Sequence, residues 1–369
     1  MGKHSRKSPP VSTVLAGITA AALLFCAGSA AVKTTGHGAG VALFLAGLQK
    51  PQSGLSYFRE SVHTSRTHAE TVSTAASAPA PSPDTAEQEP FDEPAEETFL
   101  IPEEKGDGGK VLEQQLSTGS AFVNGVAIRN RSKNTALSLE KEAAIPPKLV
   151  IDDTDQPQVL IIHTHTTETY MPYYAGYYNK NDTPRSTDES VNVCAVGRAV
   201  VAQLQAAGIG VIHDTTVHDS PRYTGSYIRS AETVEKNLKK YPSIKVILDV
   251  HRDGIMKDDT TKIKPTATVN GKKAAQMMMV MGVYDSSDVP HPKWQENLHF
   301  AMALQSRLHT AYPGVVRPIS CVSSRYNQHM STAYILIEMG SEANTLGEAV
   351  YSGQLLGRQL GELLNSLKG

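Results

Sequence analysis

The sequence predicts an α/β fold with a mixed, mostly parallel sheet and helices on both faces, preceded by a transmembrane helix and a disordered linker. From residue 149 onward, short apolar runs alternate with segments of helical periodicity, which is typical of α/β domains. The runs are apolar throughout, as in residues 159–162, which indicates strands buried on both faces. Several runs are followed directly by polar side chains, where open α/β sheets place their binding sites.

The elements of this domain are predicted in order from local patterns. Apolar residues recur with helical spacing in residues 192–207, and Gly208 is a typical helix end. Residues 170–190 contain five tyrosines and are predicted to form a long loop near these polar groups; loops of more than about 12 residues are usually functional or disordered. The predicted strands are 159–162, 209–212, 245–250, 276–283, 315–319 and 334–337, and the predicted helices are 192–207, 226–241, 294–312 and 346–367.

The amino-terminal residues have the pattern of a membrane anchor. Residues 1–10 carry Lys3, Arg6 and Lys7, and residues 11–32 contain no charge. A run of about 20 apolar residues is long enough to span a membrane, and the flanking positive charges predict a cytoplasmic N-terminus. The predicted location is therefore the cell membrane, with a single-pass anchor and an extracytoplasmic domain. A cleaved signal peptide with small residues at 27–31 is the alternative.

Between the anchor and the α/β domain the composition changes twice. Residues 33–110 are predicted to be a disordered extracytoplasmic linker, because Ala, Pro, Ser and Thr dominate residues 71–85 and acidic residues are frequent after them. Residues 111–148 are predicted to be a lead-in segment with an edge strand or hairpin at 122–128. The remainder, 149–369, is the predicted catalytic domain.

The composition excludes several classes of function. The net charge of −2 gives no basic surface that would favour nucleic acid. The three cysteines form no Cys-x-x-Cys pair, so a thiolate zinc site is not predicted, and the spacing of Cys194 and Cys321 does not require a disulfide. No Gly-x-Ser-x-Gly motif is present, and a serine hydrolase therefore has no support.

Three of the predicted strands lead into side chains that bind divalent metals. His165 and Glu168 follow the first strand, His251 follows the third, and Glu338 ends the last. Because neighbouring strands lie about 4.8 Å apart, such groups can converge on one ion. Two imidazoles and one carboxylate leave a fourth position for water, as in catalytic zinc sites. The pattern predicts Zn²⁺ bound by His165, Glu168 and His251, with Glu338 moving the proton of the attacking water.

Other assignments are open for the same site. His163 could exchange roles with His165. Asp188 or Glu189 could replace Glu168 as the carboxylate ligand, although an acid just before a helix is equally well explained by the helix dipole.

Each group also has a purely structural alternative. His251 could be an ordinary surface histidine, and Glu338 could simply pair with Arg252 or Arg325. To explain the whole pattern without a metal site, such alternatives would have to hold at several strand ends at once.

Four separated blocks of the sequence are distinctive: THTTETY at 164–170, DVHRD at 249–253, RYNQH at 325–329 and IEMGSEANTLGEA at 337–349. Together they resemble the stage II sporulation protein P family, the membrane-anchored cell-wall hydrolases of endospore-forming bacteria. The resemblance covers residue 149 to the C-terminus, and the blocks stand in the family's order. The family is related to the zinc-dependent N-acetylmuramoyl-L-alanine amidases, so the resemblance implies an amidase-like fold.

The resemblance also implies roles for individual residues. It makes His165, Glu168 and His251 the zinc ligands and Glu338 the catalytic acid/base. The related amidases place their carboxylate ligand at the head of the following helix, so Asp188 and Glu189 stay as alternatives to Glu168. Four further residues match family motif positions, and the resemblance implies that they bind substrate or support the ligands: Arg252, Arg325, Asn327 and Asn344.

The function implied by the resemblance is hydrolysis of peptidoglycan at the amide between N-acetylmuramic acid and L-alanine. The family is also associated with cleavage of peptide cross-links. The implied partners are stage II sporulation proteins D and M, and the implied role is septal wall thinning and engulfment. A catalytically silent wall-binding scaffold of the same fold is the alternative, which the presence of both imidazoles and Glu338 disfavours.

Overall fold

The structure is a computed structural model that describes residues 106–116 and 122–369. The predicted cytoplasmic segment and anchor, and nearly all of the predicted linker, lie outside these residues. Across the part that the structure describes, no helix has the length and apolar character needed to cross a membrane.

The described residues form twelve strands and five α-helices. The strands are β1 (Gly109–Gln114), β2 (Ile128–Asn130), β3 (Val159–Ile162), β4 (Tyr177–Tyr178), β5 (Val211–His213), β6 (Val246–Asp253), β7 (Met256–Asp258), β8 (Thr261–Val269), β9 (Lys272–Ala275), β10 (Met277–Gly282), β11 (Ile319–Val322) and β12 (Tyr334–Ser341). The helices are α1 (Leu139–Glu142), α2 (Val193–Ala206), α3 (Ser226–Lys240), α4 (Trp294–Ala311) and α5 (Leu346–Ser366).

The larger sheet has seven strands in the order β2-β11-β10-β12-β6-β3-β5. Five of its six neighbouring pairs are parallel, and only β10 and β12 run antiparallel. The prediction of a mixed, mostly parallel sheet is confirmed. The four long helices also match their predicted positions within one residue at each end.

Helices cover both faces of this sheet, as predicted. In β3, Val159 and Ile161 pack in the core formed with α2, α4 and α5, whereas Leu160 and Ile162 pack towards α3. The same alternation runs along β6, where Leu248 and Val250 belong to the first core. Asp249 and His251 therefore face α3, because successive side chains of a strand point to opposite faces.

One predicted strand is wrong. Residues 315–319 were expected to form it, but β11 begins at Ile319 and runs to Val322. Pro318 lies inside the predicted run, and proline has no N–H with which to join a central ladder. The strand therefore starts after the proline, while Val316 makes only an isolated bridge to Met277.

A second, smaller sheet was not predicted. Its strands lie in the order β4-β1-β8-β7, with β9 also paired to β8. β1 begins at Gly109, inside the segment predicted to be linker. β2, in the predicted lead-in, joins the larger sheet beside β11. The lead-in thus supplies strands to both sheets and is an integral part of the fold.

A stripe of three glycines lets α5 approach α2 closely. Gly353, Gly357 and Gly361 lie one helical turn apart on α5. A Cβ built on Gly357 would lie 2.8 Å from the carbonyl oxygen of Val200, and one on Gly361 would lie 2.7 Å from Cβ of Ala207. Side chains at these positions would push the two helices apart.

We expect Gly357→Ala to lower the free energy of unfolding by about 1–3 kcal/mol, the usual cost of overpacking. This loss should outweigh the gain of about 1 kcal/mol in helix propensity. Gly347→Ala, in the exposed first turn of α5, meets nothing within 4 Å and should be stabilising. Urea unfolding followed by circular dichroism compares the two, and effects of the same sign would contradict this packing.

Candidate active site

The candidate site lies where β6 and β12 run side by side. Glu338 of β12 is paired in register with His251 of β6. Both strands extend beyond their predicted ends, so these two side chains lie within strands and not after them. The register shifts after Glu338, and Gly340 adopts a φ of 76°. A bulge of this kind bends the strand and redirects side chains next to active sites.

His251 is held between two carboxylates. Its Nε2 lies 2.9 Å from Oδ1 of Asp249, and its Nδ1 lies 3.6 Å from Oε2 of Glu168. Asp249 is fixed in turn by Thr164, whose backbone N–H and Oγ1 donate to it over 2.8 and 2.7 Å. Burial alone would lower the pKa of His251, but the charge of Asp249 and the contact with Glu168 raise it well above its usual range.

A tight turn after β3 places Glu168. Its backbone N–H donates to the carbonyl of His165 over 3.1 Å. The carboxylate accepts the backbone N–H of Arg252 over 3.1 Å, and Arg185 lies 3.7 Å away. Burial would raise the pKa of Glu168, but its contact with His251 and the charge of Arg252 hold it well below its usual range. The carboxylate is therefore ionised.

His165 packs against aromatic rings. It stacks on Tyr223 with ring centroids 4.4 Å apart, and it meets the ring of His251 edge-on at 5.3 Å. Burial, reinforced by the nearby His251, lowers the pKa of His165 to about 3, so the ring is neutral. Among the described residues, its Nδ1 has no hydrogen-bond partner.

Glu338 is a buried carboxylate with an unsatisfied oxygen. Its Oε2 has no hydrogen-bond partner within the described part of the chain. Burial, together with the charge of Asp253, raises the pKa of Glu338. A buried, unpaired carboxyl group is costly to maintain, and such groups with raised pKa values cluster at functional sites.

The residue types of this cluster fit a zinc ion. Within residues 106–116 and 122–369, no group of three or more His, Cys, Asp or Glu side chains is arranged to hold an ion as it stands. The donor set is nevertheless that of a catalytic zinc site, with the imidazoles of His165 and His251 and the carboxylate of Glu168. Asp249 against His251 is the carboxylate support that zinc-bound histidines usually have. An ion would displace the proton of His251 on binding.

The structure separates the alternative ligands from this cluster. His163 points to the other face of the sheet, where its Nε2 lies 2.9 Å from Nε2 of His213. Asp188 and Glu189 are exposed; Asp188 accepts the N–H of Ser190, and Glu189 lies 3.5 Å from Arg198. His165, Glu168, His251 and Glu338 are the predicted groups that come together.

Two of the four motif positions are buried supports. The guanidinium of Arg252 donates to the carbonyls of Thr169 and Pro184 over 3.0 and 2.9 Å, which fixes the loop over the site. Asn344 is fully buried, and its Oδ1 accepts the N–H of Ser341 after the bulge. Because both side chains are buried, they are better placed to support the ligands than to contact substrate.

The other two positions lie on the loop before β12. Asn327 donates to the carbonyl of Tyr227 over 2.8 Å and to Oγ of Ser230 over 3.2 Å, which ties the loop to α3. Arg325 donates to the carbonyl of Pro290 over 2.7 Å. Both side chains are partly exposed, so substrate contact stays a prediction for them.

Several residues of the cluster escaped sequence reasoning. Asp249 stands two residues before His251, a spacing that places both on one face of a strand, and this signal was available. Asp219 and Tyr223 come from the stretch between β5 and α3, and Tyr227 comes from the first turn of α3, all more than fifty residues after Glu168. They had no local signal, because only tertiary folding brings them to the site.

Comparison with solved structures finds amidases. An N-acetylmuramoyl-L-alanine amidase from Clostridium difficile has 14% sequence identity and a TM-score of 0.35, covering 58% of this chain and 100% of that one. An N-acetylmuramyl-L-alanine amidase from Mycobacterium smegmatis has 12% identity and a TM-score of 0.33 over 58% of this chain and 100% of that one.

Comparison of sequences gives the family. Stage II sporulation protein P of Bacillus subtilis is 27% identical over 259 residues, which cover 67% of this chain and 58% of that protein. The present chain thus spans under two thirds of that relative's length. The family model described as stage II sporulation protein P matches residues 53–361, which is most of the chain. The resemblance is confirmed, and the chain belongs to the stage II sporulation protein P family.

Proposed function

We propose that this protein is a zinc-dependent peptidoglycan hydrolase that cleaves the amide bond between N-acetylmuramic acid and L-alanine. The observation that carries the proposal is the meeting of His165, Glu168 and His251 beside the unpaired carboxyl group of Glu338. Two imidazoles and one carboxylate form a common ligand set of catalytic zinc, and the second carboxylate can serve as the proton carrier of amide hydrolysis. Membership of the stage II sporulation protein P family supports the assignment to sporulation.

His165, Glu168 and His251 would hold the ion. Zinc bound there supplies Lewis acidity to the scissile carbonyl. The protein's part is to keep the donors in place: Asp249 orients His251 through its Nε2, and the backbone N–H of Arg252 orients the carboxylate of Glu168. Stacking on Tyr223 fixes the plane of His165.

Glu338 is the proton carrier of the reaction. It takes a proton from the attacking water and gives it to the amine nitrogen of L-alanine as the carbon–nitrogen bond breaks. A raised pKa suits this exchange, because a carboxyl group of ordinary pKa returns a proton less readily. The products are a free muramic carboxylate and a stem peptide with a free N-terminus.

The setting of this reaction belongs to the same proposal. The charge-free residues 11–32 support a single-pass membrane anchor with the hydrolase domain outside the cytoplasm. Stage II sporulation proteins D and M are the proposed partners, and septal wall thinning during engulfment is the proposed role. Family membership supports both.

The test is digestion of purified peptidoglycan by the zinc-loaded chain, with the new chain ends identified by mass spectrometry. We expect stem peptides that begin with L-alanine, loss of release with a chelator, and recovery with added zinc. Release that survives removal of all metal would contradict the metal mechanism. New ends confined to peptide cross-links would mean endopeptidase specificity. No release from any substrate would favour the silent scaffold.

A further inference from the structure

Asp219 is a buried carboxylate beside His165 that the proposed mechanism does not use. Its side chain is fully buried, and Oδ2 lies 4.0 Å from Nδ1 of His165. The N–H and Oγ1 of Thr167 donate to it, the latter over 2.7 Å. Arg185 forms the other contact, an ion pair at 2.5 Å. The carboxylate thus stands between one cation and one neutral histidine.

The position of Asp219 repeats that of Asp249 at the other imidazole. The carboxylate of Asp249 contacts Nε2 of His251, and the other ring nitrogen, Nδ1, faces Glu168. Asp219 lies on the side of Nδ1 of His165, which has no hydrogen bond within the described part of the chain. A movement of about 1 Å would bring this pair to hydrogen-bond distance, which is at most about 3.2 Å.

Arg185, in the segment between β4 and α2, contacts three of the residues around His165. Its guanidinium pairs with Asp219, lies 3.7 Å from Glu168 and stacks over the ring of Tyr223 at 4.8 Å. The arginine therefore puts a positive charge beside a proposed ligand carboxylate, where it opposes the binding of a cation. It also engages the oxygen of Asp219 that faces His165.

We propose that Asp219 is a positioning residue for His165, and that Arg185 competes with His165 for it. This proposal rests on the proposed function. Asp219 accepts the Nδ1–H of His165, and Nε2 is then the ring nitrogen that binds zinc. Carboxylates in this position fix the tautomer of a metal-bound histidine and raise its basicity. Arg185 draws the same carboxylate away from His165 by pairing with its Oδ2.

The two residues should act on zinc affinity with opposite signs. In the full chain, Asp219→Asn should weaken zinc binding about 10–100-fold, the usual effect of removing such a support. Arg185→Gln should tighten zinc binding, because it frees Asp219 and removes a positive charge beside Glu168. Competition with a fluorescent zinc chelator measures both. Asp214→Asn is the matched control, since this half-buried acid bonds Thr216 and Asn237 and should not alter zinc affinity.

A merely structural role for Asp219 predicts a different result. Both substitutions break the same ion pair, so both would then weaken zinc binding alike, and that outcome would overturn the proposal. Wild-type affinity in Asp219→Asn would overturn it as well. If Asp219→Asn loses its circular dichroism spectrum, Arg185→Gln decides alone, because unchanged or weaker zinc binding in that variant contradicts the competition. A wild-type chain that binds no zinc would instead remove the proposed function, and this inference with it.

Discussion

Glu338→Gln should lower kcat for peptidoglycan hydrolysis by about 10²–10⁴-fold, the contribution typical of a positioned acid–base group. Glutamine keeps the shape of the side chain but cannot take or return a proton. Zinc affinity should be retained, because the mechanism assigns Glu338 to proton transfer and not to the ion. The variant should also be at least as stable as the wild type, since it no longer buries an unpartnered carboxylate.

Glu342→Gln is the matched control for this experiment. Glu342 lies four residues further along and is a partly exposed carboxylate, 3.3 Å from Lys262 and 3.9 Å from Arg252. The Glu342→Gln variant should hydrolyse peptidoglycan at close to the wild-type rate. Full activity in Glu338→Gln, measured as release of stem peptides, would show that another residue carries the proton.

Lys264→Ala should lower the free energy of unfolding by about 3–5 kcal/mol, the range for breaking a buried ion pair. Lys264 is almost fully buried, and its Nζ lies 2.7 Å from Oε1 of Glu348 and 2.9 Å from Oε2 of Glu113. It also stands 3.8 Å from the ring centre of Tyr174. Alanine would leave the carboxylate of Glu348 buried without this cation.

The same substitution should loosen three parts of the domain together. Glu113 belongs to β1, Tyr174 to the segment between β3 and β4, and Glu348 to the capping box that begins α5. Hydrogen exchange should therefore speed up in β1 and in the first turn of α5. Lys273→Ala is the control, because this exposed lysine pairs with the same Glu113 at the surface, and such pairs contribute about 0–1 kcal/mol. Equal urea midpoints for the two variants would contradict the role of Lys264.

Helices and central strands could be read from the sequence because their signals are local. Asn192 caps α2 by accepting the N–H of Cys194, and Gly208 follows the helix, so both boundaries lie within the segment itself. β3 was recognisable from its four apolar residues, which are all buried. The smaller sheet had no such signal. Its strand β8 buries Lys264, and a buried lysine depends on carboxylates that come from distant parts of the chain.

The sequence by itself determined the alternation of strands and helices and the candidate donors at the ends of the strands, because both are properties of neighbouring residues. Only the tertiary structure decided which imidazole faces the site. His163 and His165 are two residues apart, yet His163 turns to the opposite face and bonds His213. Tertiary structure also supplied Asp219 and Arg185, because contacts across fifty residues depend on strand register and loop placement, which no local pattern contains.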